Sequence, residues 1–127
     1  GDGTLHAVGP NHNDSEIRFR LQAGKVTLNS AGGDGLNPEP TNCVDCVATP
    51  SDWFCVEMFY DGATESATLW IDDVQAASVV NNTGWHSSGQ FGNPAAKVWF
   101  GTFWHNGSAP VTYIDDVAIH TSRIGCD

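Results

Sequence analysis

The stretch Ser51–Asp73, SDWFCVEMFYDGATESATLWIDD, constrains this chain more than any other. Two alternating apolar runs, Trp53–Tyr60 and Ser66–Asp72, flank a turn that opens with Asp61-Gly62. Alternation with a period of two, closed by turn residues, predicts a β-hairpin with one buried face. Phe54, Val56, Met58 and Tyr60 fall on one side of the first run, and Trp53, Cys55, Glu57 and Phe59 on the other. In the second run Leu69 and Ile71 oppose Thr68, Trp70 and Asp72. One face is core. The other mixes a carboxylate, an indole and a cysteine.

The same pattern recurs along the chain. Thr4–Val8, Ser15–Leu21, Lys25–Asn29, Gln75–Val80, Ala96–Trp104 and Val111–His120 read as further strands. The turn Gln22-Ala23-Gly24 closes a second hairpin, and His105-Asn106-Gly107-Ser108 joins the last two strands, Asn-Gly being a strong hairpin signal. Ser30–Asp52 and Asn81–Pro94 carry no sustained periodicity and read as long loops. No segment has capped helical spacing. Eight short strands separated by Gly, Asn and Pro predict an all-β, antiparallel β-sandwich or jelly roll, with residues 1–127 as a single domain.

Charge narrows the partners. The net charge is −10, with five Lys and Arg in the whole chain. Nucleic acid is excluded, because phosphate binding rests on clustered cations, and an anionic membrane is excluded for the same reason. No apolar run approaches the roughly 18–20 residues of a membrane-spanning helix. An acidic chain suits a neutral ligand or a divalent cation.

Four cysteines, Cys43, Cys46, Cys55 and Cys126, allow three connectivities. Cys43-x-x-Cys46 lacks a second ligand pair at zinc spacing, and no helix follows it as a redox motif requires. Two structural disulfides are expected, Cys43–Cys46 within a loop and Cys55–Cys126 tying the C-terminus to the central strand. They imply an oxidising, extracellular setting for a secreted protein. Asn13, Asn81 and Asn106 stand in Asn-x-Ser/Thr triplets.

Trp53-Phe54-Cys55-Val56-Glu57, Ala67-Thr68-Leu69-Trp70-Ile71-Asp72, Tyr113-Ile114-Asp115-Asp116-Val117 and Arg123-Ile124-Gly125-Cys126 form a pattern spread over residues 50–127. This pattern resembles secreted concanavalin-like jelly rolls of the polysaccharide-lyase type, and the related cellulose-induced fungal proteins similar to glucuronan lyases. The terminal I-D-D-V strand is also similar to that of jelly-roll carbohydrate-binding modules. Members of that family usually carry more strands before the position of Gly1, and residues 1–49 match only loosely. The resemblance implies polysaccharide binding on a concave sheet and a structural calcium (Ca2+) held partly by Asp115 and Asp116.

If Ile17, Phe19, Val98 and Phe100 point inward with the hairpin's core face, then Arg18, Arg20, Glu57, Trp70, Lys97 and Trp99 point outward. Were those strands neighbours in one sheet, the face would offer indoles for stacking on sugar C–H faces and charged groups for their hydroxyls. Ordinary cross-strand ion pairs on a solvated sheet are the alternative. Trp85 is a further candidate sugar contact from a loop, and Trp104 reads as a plug at the core edge.

Glu57 reads either as a general base or sugar ligand, or as one half of a structural ion pair. A lyase acting by β-elimination on a uronic-acid polymer needs a base, an acid and a group that neutralises the carboxyl. Glu57, Tyr113 and His105 are the candidate acid–base residues, with Arg18 or Arg20 on the carboxyl. A glycosidase needs two facing carboxylates, and Glu57 has only Asp72 beside it in the hairpin. Asp34, Asp72-Asp73 and Asp115-Asp116 offer oxygen donors to calcium, or serve as turn residues. The five His residues share no paired spacing. A polysaccharide binder is thus expected, with the lyase and a purely structural β-sandwich as its rivals.

Overall fold

A computed structural model describes residues 2–9, 17–22, 25–30, 52–61, 64, 66–79, 97–107 and 111–126. Seven strands follow one another: β1 (Asp2–Gly9), β2 (Ile17–Gln22), β3 (Lys25–Ser30), β4 (Val56–Asp61), β5 (Ser66–Ile71), β6 (Val74–Val79) and β7 (Lys97–Asn106). They form two antiparallel sheets, one of four strands in the order β3-β2-β1-β7 and one of three in the order β4-β5-β6. No helix occurs among the described residues. Period-two alternation set these elements because an antiparallel strand exposes successive side chains to opposite faces.

The opening hairpin forms as its pattern requires. Glu57 pairs with Trp70 and Met58 with Leu69, so the apolar and mixed faces separate cleanly. Cys55 and Asp72 extend the ladder, the Asp72 N–H donating to the Cys55 carbonyl at 3.0 Å and the Cys55 N–H to Asp72 Oδ1 at 2.8 Å. Asp72 and Asp73 then reverse the chain into β6 with φ of 47° and 63°. Positive φ at both central residues is the demand of a tight two-residue hairpin, and Asp tolerates it better than most side chains.

The core lies between the sheets. Ile17, Phe19 and Leu28 from the first sheet form one buried cluster with Ala67 and Leu69 from the second. Phe54, Val56, Met58 and Tyr60 pack against it, on the side the alternation assigns. Full burial of a side chain such as Leu69 contributes about 1.5–3 kcal/mol.

Two inward assignments fail. Val98 and Phe100 stand in register with Ile17 and Phe19 through β1, hence on the core side of the sheet, yet are 39% and 45% exposed. The three-stranded sheet packs over the β2–β3 end, with β6 beside β3, and β7 is the far edge. Parity places a side chain on a face; only a covering layer buries it.

The expected eighth strand, Val111–His120, is absent. Among the described residues the segment pairs with no strand, its residues are exposed, and Asp116 at φ 51° breaks any continuous pleat. β-branched residues favour a strand only where a neighbour supplies the ladder.

β1 carries one irregularity that matters below. Thr4 pairs with Arg20 and His6 with Phe19, so Leu5 is an inserted bulge residue. A bulge changes the alternation of the strand that contains it. Gly3 pairs with Trp104, and a Cβ on Gly3 would collide with the indole ring. Only glycine permits that approach. Trp104 is half-buried near the end of β7, its ring against Gly3.

Candidate functional site

The sequence places Arg18, Arg20, Glu57, Trp70, Lys97 and Trp99 on outward faces. The fold divides them between two sheets whose outward faces look away from each other across the shared core. Arg18, Arg20, Lys97 and Trp99 belong to the four-stranded sheet, Glu57 and Trp70 to the three-stranded one. The single platform of the sequence reading is therefore two separate faces. Periodicity fixes orientation along a strand but carries no information about which sheet the strand joins.

On the four-stranded sheet, register builds two adjacent cross-strand rows. Arg18 pairs with Ala7, which pairs with Trp99; Arg20 pairs with Thr4, which pairs with Phe103. The inserted Leu5 is what lets both rows share a face. Arg18 and Trp99 are two strand spacings apart, about 10 Å. Arg18, Arg20 and Trp99 are half-buried and Thr4 is buried. On β7 itself, Trp99, Gly101 and Phe103 alternate outward. They line a groove of about 230 Å³ together with Thr4, Leu5, Phe100 and Thr102. Gly101 has φ 146°, and a Cβ there would meet no atom within 4 Å.

The outer face of the three-stranded sheet is occupied by the chain's own C-terminal segment. Arg123 Nε donates to Glu57 Oε2 at 2.8 Å, and Nη2 donates to Asp73 Oδ1. The N–H groups of Ile124 and Gly125 donate to Glu57 Oε1 at 2.6 and 3.2 Å. The Arg123 guanidinium also lies over the Trp70 ring, 4.8 Å from its centre. Beside them the Cys55–Cys126 disulfide closes, with Cα atoms 5.8 Å apart, as the cysteine pattern predicts. Desolvation pushes the Glu57 carboxyl up, but the Ile124 and Gly125 N–H groups and the Arg123 guanidinium outweigh it and hold the group below its ordinary value.

This arrangement favours the structural side of the Glu57 alternative. A carboxylate saturated by three donors and held ionised is a weak proton acceptor. The Trp70 ring is likewise stacked by a cation, and the indole face that a sugar would need is covered. Tyr113 is 75% exposed in the segment that forms no strand, and His105 lies on β7, in the other sheet from Glu57. No described hydrogen bond joins either to Glu57.

Asp115 Oδ1 accepts the Asp116 N–H at 2.9 Å, a local turn contact. No group of three His, Cys, Asp or Glu side chains suited to a metal comes together among the described residues. These two carboxylates on their own do not fit a calcium cage, which takes six or more oxygens. Cys43, Cys46, Trp85 and Asp34 lie outside the described residues.

Sequence reading missed Arg123, Thr4, Gly101 and Phe103. Arg123 had a signal: it precedes Cys126 by three positions as Glu57 follows Cys55 by two, so the expected disulfide brings opposite charges together. Thr4 had none, because a bulge is invisible to periodicity.

No protein-family model matches the chain, and no curated protein and no solved structure matches it either.

Proposed function

We propose that the chain is a secreted polysaccharide-binding module of the jelly-roll sandwich type, and that its sugar face is the outer face of the four-stranded sheet. The observation that carries this reading is the pair of rows Arg18–Ala7–Trp99 and Arg20–Thr4–Phe103. They set aromatic rings beside guanidinium groups on one surface. Rings stack on the apolar faces of pyranoses, and guanidinium groups donate charge-assisted hydrogen bonds to hydroxyls. The Cys55–Cys126 disulfide supports an oxidising compartment and hence secretion. Glu57 and Trp70 leave the proposed site, since the C-terminal segment engages both.

Affinity electrophoresis against neutral and acidic polysaccharides tests the reading. Retardation is expected on at least one polymer, weakened about tenfold or more by Trp99→Ala or Arg18→Ala, equivalent to about 1.4 kcal/mol. No retardation on any polymer leaves a structural β-sandwich without a sugar site.

A second reading, β-elimination on a uronic-acid polymer, draws on the same cations. Lys97 shares the parity of Trp99 on β7, so three of the chain's five Lys and Arg stand on this face, in position to neutralise a carboxyl. Its acid and base are not supplied by Glu57, which belongs to the other sheet. Incubation with alginate, glucuronan and pectin decides it: no unsaturated product absorbing in the near ultraviolet means no lyase. A structural calcium rests on the family resemblance alone, and a melting midpoint unmoved by chelator removes it.

A further inference from the structure

We infer that the slot between Trp99 and Phe103, floored by Gly101, is a subsite for a single uncharged pyranose ring. The inference rests on the polysaccharide reading and names the class of sugar that this part of the face takes.

Three observations carry it. The first is shape. Trp99, Gly101 and Phe103 are consecutive outward positions of β7, so two rings stand on either side of a residue without a side chain. A side chain at Gly101 would project into open space that the groove occupies, and φ of 146° is a conformation that residues with a Cβ rarely adopt. The backbone is held in a shape that keeps the floor bare. The groove's 230 Å³ falls below the roughly 300–1,000 Å³ of sites for drug-sized ligands. It matches one ring, not several.

The second observation is chemistry. On the outward side the lining is Trp99 and Phe103 beside Thr4, while Phe100 and Thr102 alternate to the other side of β7 and Leu5 packs against the core cluster. That is a pair of aromatic walls with a hydroxyl-bearing residue next to them, the complement of a pyranose whose C–H face is apolar and whose rim carries hydroxyls.

The third is charge. No lining residue is ionisable. Lys97 lies beyond Trp99 along β7 and Arg18 and Arg20 two strands away, so a carboxylate lowered into the slot would lose water with no cation in the lining itself. The net charge of −10 adds long-range repulsion of polyanions, reduced by salt. An uncharged ring meets neither obstacle. Arg18 and Arg20, both on β2 and two strands inward, stand where neighbouring units of the same polymer would pass.

The test uses the full chain with its disulfides intact. Soluble neutral oligosaccharides of the gluco, xylo and manno types, and oligogalacturonates as the charged control, are titrated by calorimetry while the Gly101 amide is followed by NMR. A neutral oligosaccharide is expected to bind and to shift the Gly101 amide. Phe103→Ala is expected to weaken it about tenfold or more, and Gly101→Ser to do the same by filling the floor. Phe103 is 42% exposed, so its truncation reads the slot even where the strained serine variant fails to fold. Neutral binding unchanged in Phe103→Ala, or with a silent Gly101 amide, overturns the subsite and leaves the polysaccharide reading standing. Binding of oligogalacturonates alone overturns the uncharged class and again leaves that reading. Binding of no saccharide overturns both.

Discussion

Arg123 reaches Glu57 across 66 positions of sequence, Nε to Oε2 at 2.8 Å, and so fastens the end of the chain to the hairpin that organises its middle. The Glu57 side chain is 12% exposed and the Arg123 side chain 43%. The two ends of this contact therefore contribute unequally. Arg123→Ala is expected to cost about 1 kcal/mol, the upper scale of a solvent-screened pair. Glu57→Ala is expected to cost about 2 kcal/mol, because the Ile124 and Gly125 N–H groups also lose their acceptor. Thermal melting of the two variants checks the order; equal losses would mean that the backbone contacts contribute nothing.

The same carboxylate gives stability a pH dependence of definite sign. Its folded pKa lies below the ordinary carboxylate value, so the unfolded chain binds the proton more tightly. The contribution is complete above the unfolded value and drains away as pH falls below about 5 towards the folded one. Denaturant midpoints between pH 7 and pH 3 should therefore fall less steeply for Glu57→Gln than for the wild-type chain. Parallel curves would refute the assignment.

Tyr60 acts at the other end of the scale. Burial raises its phenol well above the ordinary value, and its hydroxyl lies 3.3 Å from Met58 Sδ. The neutral form is the one that folds, so stability is fully present below the unfolded pKa of about 10 and is lost as pH rises from there through the raised folded value. A spectrophotometric titration should show Tyr60 phenolate appearing together with loss of structure. Tyr60→Phe should remove that step.

The Cys55–Cys126 disulfide closes a loop with a sequence separation of 71. Loop-closure entropy puts its contribution at about 4 kcal/mol, with native strain and denatured-state structure free to reduce it. Paired Cys55→Ser and Cys126→Ser replacement should lower the denaturation free energy by about 2–4 kcal/mol. The Arg123 contact should persist in the folded variant, visible as a retained loss on adding Arg123→Ala.

Gly3 faces Trp104 with no room for a methyl group. Gly3→Ala should cost about 1–3 kcal/mol through overpacking, and Gly3→Val more, with the near-ultraviolet signal of Trp104 altered in the alanine variant. Unchanged stability in Gly3→Ala would mean that the ring yields freely.

The strands were legible because period-two alternation is local. The pattern identified all seven to within three residues at either end, with inward Ile17, Phe19, Met58 and Leu69 assigned correctly. What escaped depends on distance. Whether Val98 and Phe100 are covered depends on where the second sheet packs. Whether Arg18 and Glu57 share a face depends on sheet membership. Val111–His120 reads as a strand by composition and lacks a partner to pair with among the described strands. The Arg18, Arg20 and Trp99 part of the proposed site was legible as parity; its assembly with Thr4, Gly101 and Phe103 required the register.

The inserted Leu5 gives β1 two phases. Thr4 and His6 are both even-numbered, yet their partners Arg20 and Phe19 lie on opposite faces of the sheet. Everything before the insertion is read in one frame and everything after it in the other. The alignment of Arg20 with Phe103 is thus set by a count of residues, not by any contact between them. Removing Leu5 would slide Gly3 into the place of Thr4 and put a different residue between the arginine and the ring. A surface of this kind can be rewritten by one deletion while each of its outward side chains stays the same.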